Sequence, residues 1–280
     1  MFQVPRLPVP AYPLGLLLAF TAGLILVRRE ARRRGLDPVQ MTDLGIYVVL
    51  LSLVGARALH VLADGDARRY LDQCVAQSPA DCLAVFRFWE GGLVFYGGLL
   101  LALGFAVAYV RRRGLALWRV ADLFGLALPL GLTFGRLGCH FHGCCFGAPT
   151  RAAWGVSFPP GSDASTAQAA AGLLSDAARH SLAVHPTQLL SVGLNLGIFL
   201  ALYFGLRPRQ RFEGQLMCGF LLLYGPARFA VEALRADARG GVGPLSTSQL
   251  ISLLLVAGAA VAWTRLSALT MKESTSSKTG

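Results

Sequence analysis

The stretch LGLLLAFTAGLILVRREARRR, residues 14–34, indicates the class of protein to which this chain belongs. An apolar run from Leu14 to Val27 passes directly into a segment crowded with arginine. About 20 apolar residues are enough for a helix to cross a bilayer, and similar runs recur along the chain. Hydrophobic residues make up 54% of the sequence and charged residues 15%, whereas about a quarter of the residues of a soluble domain are charged. The 280 residues therefore predict a bundle of membrane helices rather than two soluble domains.

The apolar runs predict seven spans, all helical because lipid offers an open backbone no other partner. The predicted spans are 12–28, 43–63, 92–110, 120–138, 188–206, 214–235 and 248–266. The predicted fold class is an all-α integral membrane protein whose single polytopic domain covers residues 1–270. Its other predicted parts are an external arm at 64–91, a small external head at 139–187 and a disordered cytoplasmic tail at 271–280. The first run is interpreted as a span rather than a signal peptide, because arginines and not a small-residue cleavage site follow it.

The arginines gather between alternate spans. The formal net charge is +11, which in a soluble protein would indicate a nucleic-acid partner. Here the clusters follow the positive-inside rule, which needs no such partner. They are Arg28, Arg29, Arg32, Arg33 and Arg34 after the first span, Arg111, Arg112, Arg113 and Arg119 after the third, and Arg207, Arg209 and Arg211 after the fifth. We therefore expect an N-terminus outside, a cytoplasmic C-terminus, a lipid bilayer as partner and no nucleic acid.

Charged residues inside the spans are the strongest functional candidates, because a central arginine costs at least about 2.5–3.5 kcal/mol to insert. They are Arg57, Asp122, Arg136, Arg228, Glu232 and Arg235. The spacing of Arg228, Glu232 and Arg235 places these three on one face of a helix. Arg136 is flanked by glycines, which leave its guanidinium open to an anion such as phosphate. Arg136 and Arg228 are predicted to clamp one phosphodiester. The alternatives are salt bridges between helices and, for Arg136, a side chain that reaches the interface.

The segment CHFHGCC, residues 139–145, contains five potential metal ligands. Structural zinc sites usually draw on two separated pairs of ligands, and neighbouring side chains in a packed run point in different directions. We therefore predict no metal at this segment and no cofactor for the protein. A reactive thiol and a disulfide stay open here. In the predicted external arm, Cys74 and Cys82 are compatible with a disulfide or with two free thiols.

Two further segments carry candidate site residues. Tyr96 stands before Gly97 and Gly98 at the start of the third predicted span. The glycines expose the tyrosine hydroxyl, which can donate a hydrogen bond, and they let a helix or a lipid approach the backbone. An aromatic residue at the membrane interface is the alternative for Tyr96. His185 opens the fifth span and either titrates near neutrality or makes a structural hydrogen bond.

Taken together, these segments resemble the bacterial phosphatidylglycerol–prolipoprotein diacylglyceryl transferase family over nearly the whole chain. No single segment is decisive, but their order and spacing are specific. The matching segments are Gly55-Ala56-Arg57, Phe88-Trp89-Glu90-Gly91-Gly92 with Tyr96-Gly97-Gly98, Asp122, Gly135-Arg136-Leu137-Gly138, His185-Pro186-Thr187-Gln188-Leu189, Tyr224-Gly225 followed by Arg228, Glu232 and Arg235, and Leu245-Ser246-Thr247-Ser248-Gln249-Leu250.

The resemblance implies seven membrane helices and an external head, in the bacterial inner membrane. It implies a transferase of lipoprotein biosynthesis that moves a diacylglyceryl group from phosphatidylglycerol to the lipobox cysteine thiol of a prolipoprotein and releases glycerol phosphate. By position, Arg136 and Arg228 match the family's essential arginines. Glu232 and Arg235 match its supporting ion pair, and Tyr12 matches a tyrosine of the first span.

The chain departs from the family's signature directly after the first of these arginines. Cys139 and His142 stand where the family has asparagine, and Cys144 stands where it has glutamate. Tyr96 stands where the family often has histidine. These departures bear on the step in which the acceptor thiol loses its proton. The residues available for that step are Tyr96, His140, His142 and His185, unless the field of the arginines lowers the pKa of the acceptor thiol.

Two alternatives to the transferase remain. The first is a diverged paralogue that binds phospholipid but uses another acceptor or is inactive, and the departures from the signature favour it. The second is a transporter of small solutes or anions, which is disfavoured because no spans are interrupted in matched halves of the chain.

Overall fold

The computed structural model describes residues 2–5, 11–63, 94–235, 241–243 and 245–279, which are mostly helical. The helices are α1 (Ala11–Arg33), α2 (Pro38–Ala63), α3 (Phe95–Arg112), α4 (Leu117–His142), α5 (Asp163–Ala170), α6 (Thr187–Leu200), α7 (Gln215–Glu232) and α8 (Thr247–Thr279). A π turn, Ala201–Leu206, and a 3-10 turn, Arg207–Arg209, extend α6. Strand β1 (Phe2–Gln3) pairs in parallel with β2 (Val156–Ser157), and β3 (Gly241–Val242) pairs antiparallel with β4 (Leu245–Ser246).

Six of the predicted spans are confirmed as helices long and apolar enough to cross a membrane. They are Ala11–Arg33, Pro38–Leu62, Phe95–Arg112, Leu117–His142, Thr187–Arg209 and Thr247–Lys272. The chain is therefore an all-α, multi-pass membrane protein. Helix α7 occupies most of the predicted span 214–235, but it carries Arg228 and Glu232 and is not among the six helices long and apolar enough to cross a membrane. A seventh crossing stays a prediction.

The C-terminal helix is longer than the sequence predicted. Helix α8 continues to Thr279, through the segment from residue 271 for which we expected disorder. No glycine or proline interrupts the sequence between Gly258 and Gly280, so nothing in the chain stops the helix earlier. The predicted external arm at 64–91, with Cys74 and Cys82, lies outside the described residues.

The chain divides into two compact units. One comprises residues 27–120, and the other comprises residues 1–26 with 121–280. In the first unit, α2 and α3 meet through glycines: a Cβ on Gly97 would collide with the backbone of Gly55, and one on Gly98 with the backbone of Ser52. Small residues of this kind let membrane helices approach closely.

In the second unit, α1 and α4 approach equally closely. A Cβ on Gly15 would lie 2.7 Å from the Cα of Gly138. Further along the same two helices, an apolar core joins residues of four helices and the π turn: Leu26, Leu126, Ile198, Leu202, Leu216 and Phe220. Close packing of α1 on α4 holds in one place the helix that carries Arg136.

The segment between α4 and α6 folds on a small core of its own. The core consists of Val4, Val156, Phe158, Ala164 and Val184. Ser162 caps α5 by accepting a hydrogen bond from the backbone N–H of Ser165 at 3.3 Å, as helix caps commonly do. This segment corresponds to the predicted head at 139–187, and the side of the membrane on which it lies stays a prediction.

Candidate functional site

Asp122 is fully buried on α4 and anchors the start of α7. Its carboxylate accepts hydrogen bonds from the backbone N–H groups of Gly214 at 2.8 Å, Leu216 at 2.8 Å and Met217 at 3.0 Å, and from the side chain of Gln210 at 2.5 Å. The first N–H groups of a helix have no partner within the helix and attract a negative charge. The sequence named Asp122 among the functional candidates, for which substrate binding stays a prediction; in the structure its carboxylate caps the start of α7.

The other end of α7 carries the ion pair. Arg228 Nη1 lies 2.5 Å from Glu232 Oε2, and Arg228 Nη2 donates to Ser248 Oγ at 3.1 Å. Ser246 Oγ donates to Glu232 Oε1 at 3.3 Å. Ser246 and Gln249 also form a reciprocal capping box at the start of α8, with contacts of 3.2 and 2.9 Å. The Arg228 pair is thus fixed against the first turn of α8.

Arg136, on α4, lines one small cavity together with Arg228. The cavity has a volume of about 20 Å³, which is room for about one water molecule. Its lining is completed by Ser191, Leu194, Asn195, Tyr224, Ala227 and Val231. Among the described residues, no carboxylate forms an ion pair with Arg136. The structure therefore brings together the two arginines that the sequence predicted as a clamp, and leaves one of them without an anion.

Asn195, on α6, is a residue of this cavity that the sequence analysis missed. It is buried, and its Nδ2 donates to the Ser191 carbonyl at 2.7 Å. Its Oδ1 has no hydrogen-bond partner among the described groups. A buried amide with an unused polar atom is costly, so it needs an explanation. A lone asparagine within the apolar run LLSVGLNLGIFL, residues 189–200, was the signal that could have identified it.

Helix α4 ends in a turn that reverses the chain. Gly143 has φ 83°, a conformation that glycine adopts without strain. The Gly143 N–H bonds the His140 carbonyl at 3.2 Å, and the Cys144 N–H bonds the Cys139 carbonyl at 3.2 Å. This is the Schellman pattern of a helix C-terminus. It folds Cys144 and Cys145 back over Cys139.

As a result, three sulfur atoms cluster. The Sγ atoms of Cys139, Cys144 and Cys145 all lie within 4.8 Å of one another. Our argument against a metal, that neighbouring side chains would diverge, is therefore wrong for these three residues. Hydrogen bonds from the neighbouring thiols and the positive charges of Arg136 and Arg235 lower the pKa of the Cys145 thiol. The cluster thus favours a thiolate at one of its members.

The backbone of this cluster is braced by the start of α6 and by the segment that follows α7. Thr187 Oγ1 donates to the Cys145 carbonyl at 2.8 Å, and Gln188 Nε2 donates to the Cys144 carbonyl at 2.7 Å. Arg235 Nη1 donates to the Cys145 carbonyl at 3.3 Å. The His-Pro-Thr-Gln segment thus positions the cysteine turn. Because α7 ends at Glu232, Arg235 lies beyond the helix on which the predicted i,i+3 spacing was based.

Two of the remaining predicted site residues are neighbours. Tyr12, at the start of α1, is partly exposed, and its ring centroid lies 5.9 Å from that of His142. Both belong to the unit that contains the arginines and the cysteines. Tyr12 also interacts electrostatically with Arg136 and with all three cysteines of the cluster. Tyr12 and His142 therefore lie side by side in the unit that carries the arginines, and their part in the site stays a prediction.

The other predicted residues lie elsewhere. Tyr96, Gly97 and Gly98 belong to the unit of residues 27–120, where the two glycines face the backbone of α2. A lipid contact at these glycines is therefore not supported. His185 Nδ1 accepts a hydrogen bond from Trp154 Nε1 at 3.3 Å. Both residues line a second cavity, of about 270 Å³, which does not include Arg136.

The sequence profile of the prolipoprotein diacylglyceryl transferase family matches residues 1–265 of the chain. This chain belongs to that family. A phosphatidylglycerol–prolipoprotein diacylglyceryl transferase of Xanthomonas oryzae pv. oryzae is 35% identical over 91% of this chain and 86% of its own. Proteins of the same name from Thermosynechococcus vestitus and Gloeobacter violaceus are each 32% identical, over 87% and 93% of this chain and 84% and 90% of their own.

Membership of the family agrees with the position of the arginine pair in the fold. Arg136 and Arg228 come from segments far apart in the sequence and meet at one cavity. The cysteine cluster lies directly after Arg136 and replaces the polar signature that the sequence resemblance led us to expect. The two arginines that match the family's essential pair thus line one cavity, and the cysteine cluster follows the first of them in the chain.

Proposed function

We propose that this protein transfers the diacylglyceryl group of phosphatidylglycerol to the lipobox cysteine thiol of prolipoproteins and releases glycerol phosphate. The relatives named above carry phosphatidylglycerol and prolipoprotein in their names. The observation that carries the proposal is the meeting of Arg136 and Arg228 at one cavity, where Arg136 has no described carboxylate partner. A half-buried cation in a membrane helix, without a described carboxylate of its own, is suited to an anionic substrate.

The two arginines assist cleavage of the bond between the diacylglyceryl group and the phosphate. The glycerol C–O bond of the donor opens while negative charge gathers on the departing phosphate. Guanidinium groups fixed in a site partly screened from water stabilise that charge. The cavity of about 20 Å³ is smaller than a phosphate group, so we expect the two side chains to separate when the donor enters. The amide oxygen of Asn195, which has no described partner, is then available to accept a hydrogen bond from one of the guanidinium groups.

The acceptor thiol must lose its proton before it attacks. His142 is exposed and lies beside Tyr12, so it is the histidine of this unit best placed to carry a proton to solvent. The sequence also named Tyr96, in the unit of residues 27–120, as a hydrogen-bond donor for the reaction, and Tyr96→Phe tests that prediction. A loss of transfer in this variant, with donor binding unchanged, supports a role for the hydroxyl in the reaction itself.

One alternative has an observation of its own. Cys139 and Cys144 follow Arg136 at positions where, by the resemblance, the family signature has asparagine and glutamate. A paralogue with a different acceptor would retain the arginines and change these neighbouring residues. The deciding assay is transfer from phosphatidylglycerol to a lipobox peptide, with the protein in vesicles and with phosphatidylethanolamine vesicles as the control. Binding of phosphatidylglycerol without transfer to the peptide would favour the paralogue.

We further propose that the N-terminus is outside and the C-terminus cytoplasmic, in the bacterial inner membrane. The arginine clusters between alternate helices support this orientation. In a variant that lacks its other cysteines, an impermeant thiol reagent added from outside should label Ser175→Cys and not Arg33→Cys. Both positions are exposed, whereas Ser162 is buried and unsuitable for a probe. The opposite labelling pattern would reverse the orientation.

A further inference from the structure

The three-thiol cluster has the dimensions of a metal site. Its sulfur atoms all lie within 4.8 Å of one another. A tetrahedral zinc ion with Zn–S bonds of about 2.3 Å holds neighbouring sulfurs about 3.8 Å apart. The cluster therefore closes around such an ion when each side chain moves by about 1 Å or less. Among the described residues these three supply all the ligands of the cluster, which leaves the fourth position of a tetrahedral ion open.

The backbone that holds the cluster has little room to move. The carbonyls of Cys144 and Cys145 are fixed by Gln188 and Thr187. A Cβ on Gly143 would lie 2.9 Å from the Cβ of Ser162, so the turn is packed tightly against α5. Ligands held in place before the ion arrives lose little freedom on binding it, and support of this kind around a metal site raises its affinity.

The charge around the cluster is suited to a thiolate complex. Three thiolates and one Zn²⁺ carry a net charge of −1. Arg136 interacts electrostatically with Cys139 and Cys145, and Arg235 with Cys145. Two cations beside a site of net negative charge stabilise the complex and also draw the anionic donor lipid towards the same place.

We propose that Cys139, Cys144 and Cys145 hold a zinc ion whose fourth position binds the thiol of the acceptor protein. The proposal rests on the transferase function proposed above and names how its second substrate is activated. Catalytic zinc sites keep three protein ligands and one open position, and a thiol that coordinates such an ion is deprotonated outright. The zinc site would thereby deprotonate the acceptor thiol in a chain that lacks the polar residues of the family signature.

The step balances without any further reagent. The acceptor thiol binds zinc as a thiolate, and its proton passes to solvent. The thiolate sulfur then attacks the terminal carbon of the diacylglyceryl group, and the C–O bond to phosphate breaks with its electron pair remaining on oxygen. The products are a thioether and glycerol phosphate, which takes the additional negative charge. A thioether is a weaker ligand than a thiolate, so the lipidated product leaves zinc and the fourth position opens again.

The test begins with metal binding, which is independent of activity. The full-length protein in detergent is reduced, stripped with a chelator and incubated with Zn²⁺ alone, or with Cd²⁺ for its ultraviolet thiolate charge-transfer band. We expect one tightly held ion per chain, loss of that ion in Cys144→Ser, and its retention in Cys218→Ser, which removes a buried thiol from α7 outside the cluster. A cysteine-containing lipobox peptide should change the cadmium band, and its serine counterpart should not.

The outcomes of this test distinguish a failure of the zinc site from a failure of the proposed transferase function. Well under one equivalent of metal on the unmodified protein, or equal retention in Cys144→Ser, overturns the metal site. A disulfide among the three cysteines in freshly isolated protein also overturns it. Transfer that is unchanged after stripping overturns the proposed activation while the transferase function stands. A stoichiometric ion that responds to the peptide, in a protein that shows no transfer, supports the thiol site and counts against the transferase function.

Discussion

Both ends of helix α7 contact buried charged groups, but these groups have different kinds of partners at the two ends. At its start, Asp122 accepts four hydrogen bonds, three of them from backbone N–H groups and one from the side chain of Gln210. At its other end, Arg228 contacts one carboxylate and one hydroxyl, and it borders a cavity that also exposes Arg136. The first arrangement uses a charge to secure a helix. The second retains positive charge in excess of its described anionic partners, as a site for an external anion requires.

The largest effect should follow changes at the arginines. Arg136→Lys and Arg228→Lys keep the charge but lose the planar guanidinium that can donate two parallel bonds to a phosphate. We expect each to reduce transfer about a hundredfold or more, which corresponds to about 3–4 kcal/mol of transition-state stabilisation. The assay is diacylglyceryl transfer to a lipobox peptide in reconstituted vesicles. Arg151→Lys, on an exposed arginine of the head segment, is the matched control and should retain full activity. Near-normal rates in both lysine variants would refute the clamp.

Asp122 should affect stability instead. Asp122→Ala leaves buried N–H groups at the start of α7 without an acceptor, and we expect a loss of about 1–3 kcal/mol in the free energy of unfolding. Asp37→Ala is the matched control, because the Asp37 carboxylate caps an exposed helix start through Val39 at 2.9 Å. Its loss should be smaller, since water replaces the bond. Unfolding in detergent and transfer per folded molecule are both measured. A normal stability of Asp122→Ala combined with a loss of transfer would place Asp122 in the site after all.

The spans were predictable from the sequence because hydropathy depends only on local composition. Six predicted spans coincide with described helices to within a few residues. The pairing of Arg136 with Arg228 was also within reach, since an arginine in an apolar run demands an explanation wherever it lies. The role of Asp122 could not be predicted from the sequence. Its hydrogen-bond partners lie at Gln210 and beyond, and no sequence periodicity connects that part of the chain with α4.

The cysteine cluster shows a different limit. Its geometry depends on one glycine that ends α4 and reverses the chain, and on carbonyl contacts made by Thr187 and Gln188 more than 40 residues away. Residue spacing alone suggested that the side chains diverge, which holds for a continuing helix and fails at a C-terminal turn. The same glycine was visible in the sequence, so the turn could have been anticipated but the bracing contacts could not.

Asn195 offers a prediction in which activity and stability should separate. Asn195→Leu replaces the amide with an apolar group of similar size, which removes a buried polar atom that lacks a partner. We expect stability to be unchanged or slightly raised, because replacing unpaired polar groups with apolar ones is nearly neutral or favourable. Transfer should fall about tenfold, equivalent to about 1.4 kcal/mol, if the amide orients an arginine. A variant with unaltered transfer would return Asn195 to a purely structural role.

The smallest effect should come from Ser246, which links the arginine end of α7 to the start of α8. Its hydroxyl donates to Glu232 and accepts from the Gln249 N–H, so Ser246→Ala removes both a helix cap and one of the contacts that hold the carboxylate. Loss of such a cap costs about 1 kcal/mol. Transfer should fall only severalfold, because Glu232 keeps its contact with Arg228. Ser246→Thr retains a hydroxyl and should recover both properties. If Ser246→Ala lowered transfer as strongly as Arg228→Lys, the Glu232 carboxylate and not the Arg228 guanidinium would be the more important group at this end of α7. The excess of positive charge would then not explain the difference between the two ends of the helix.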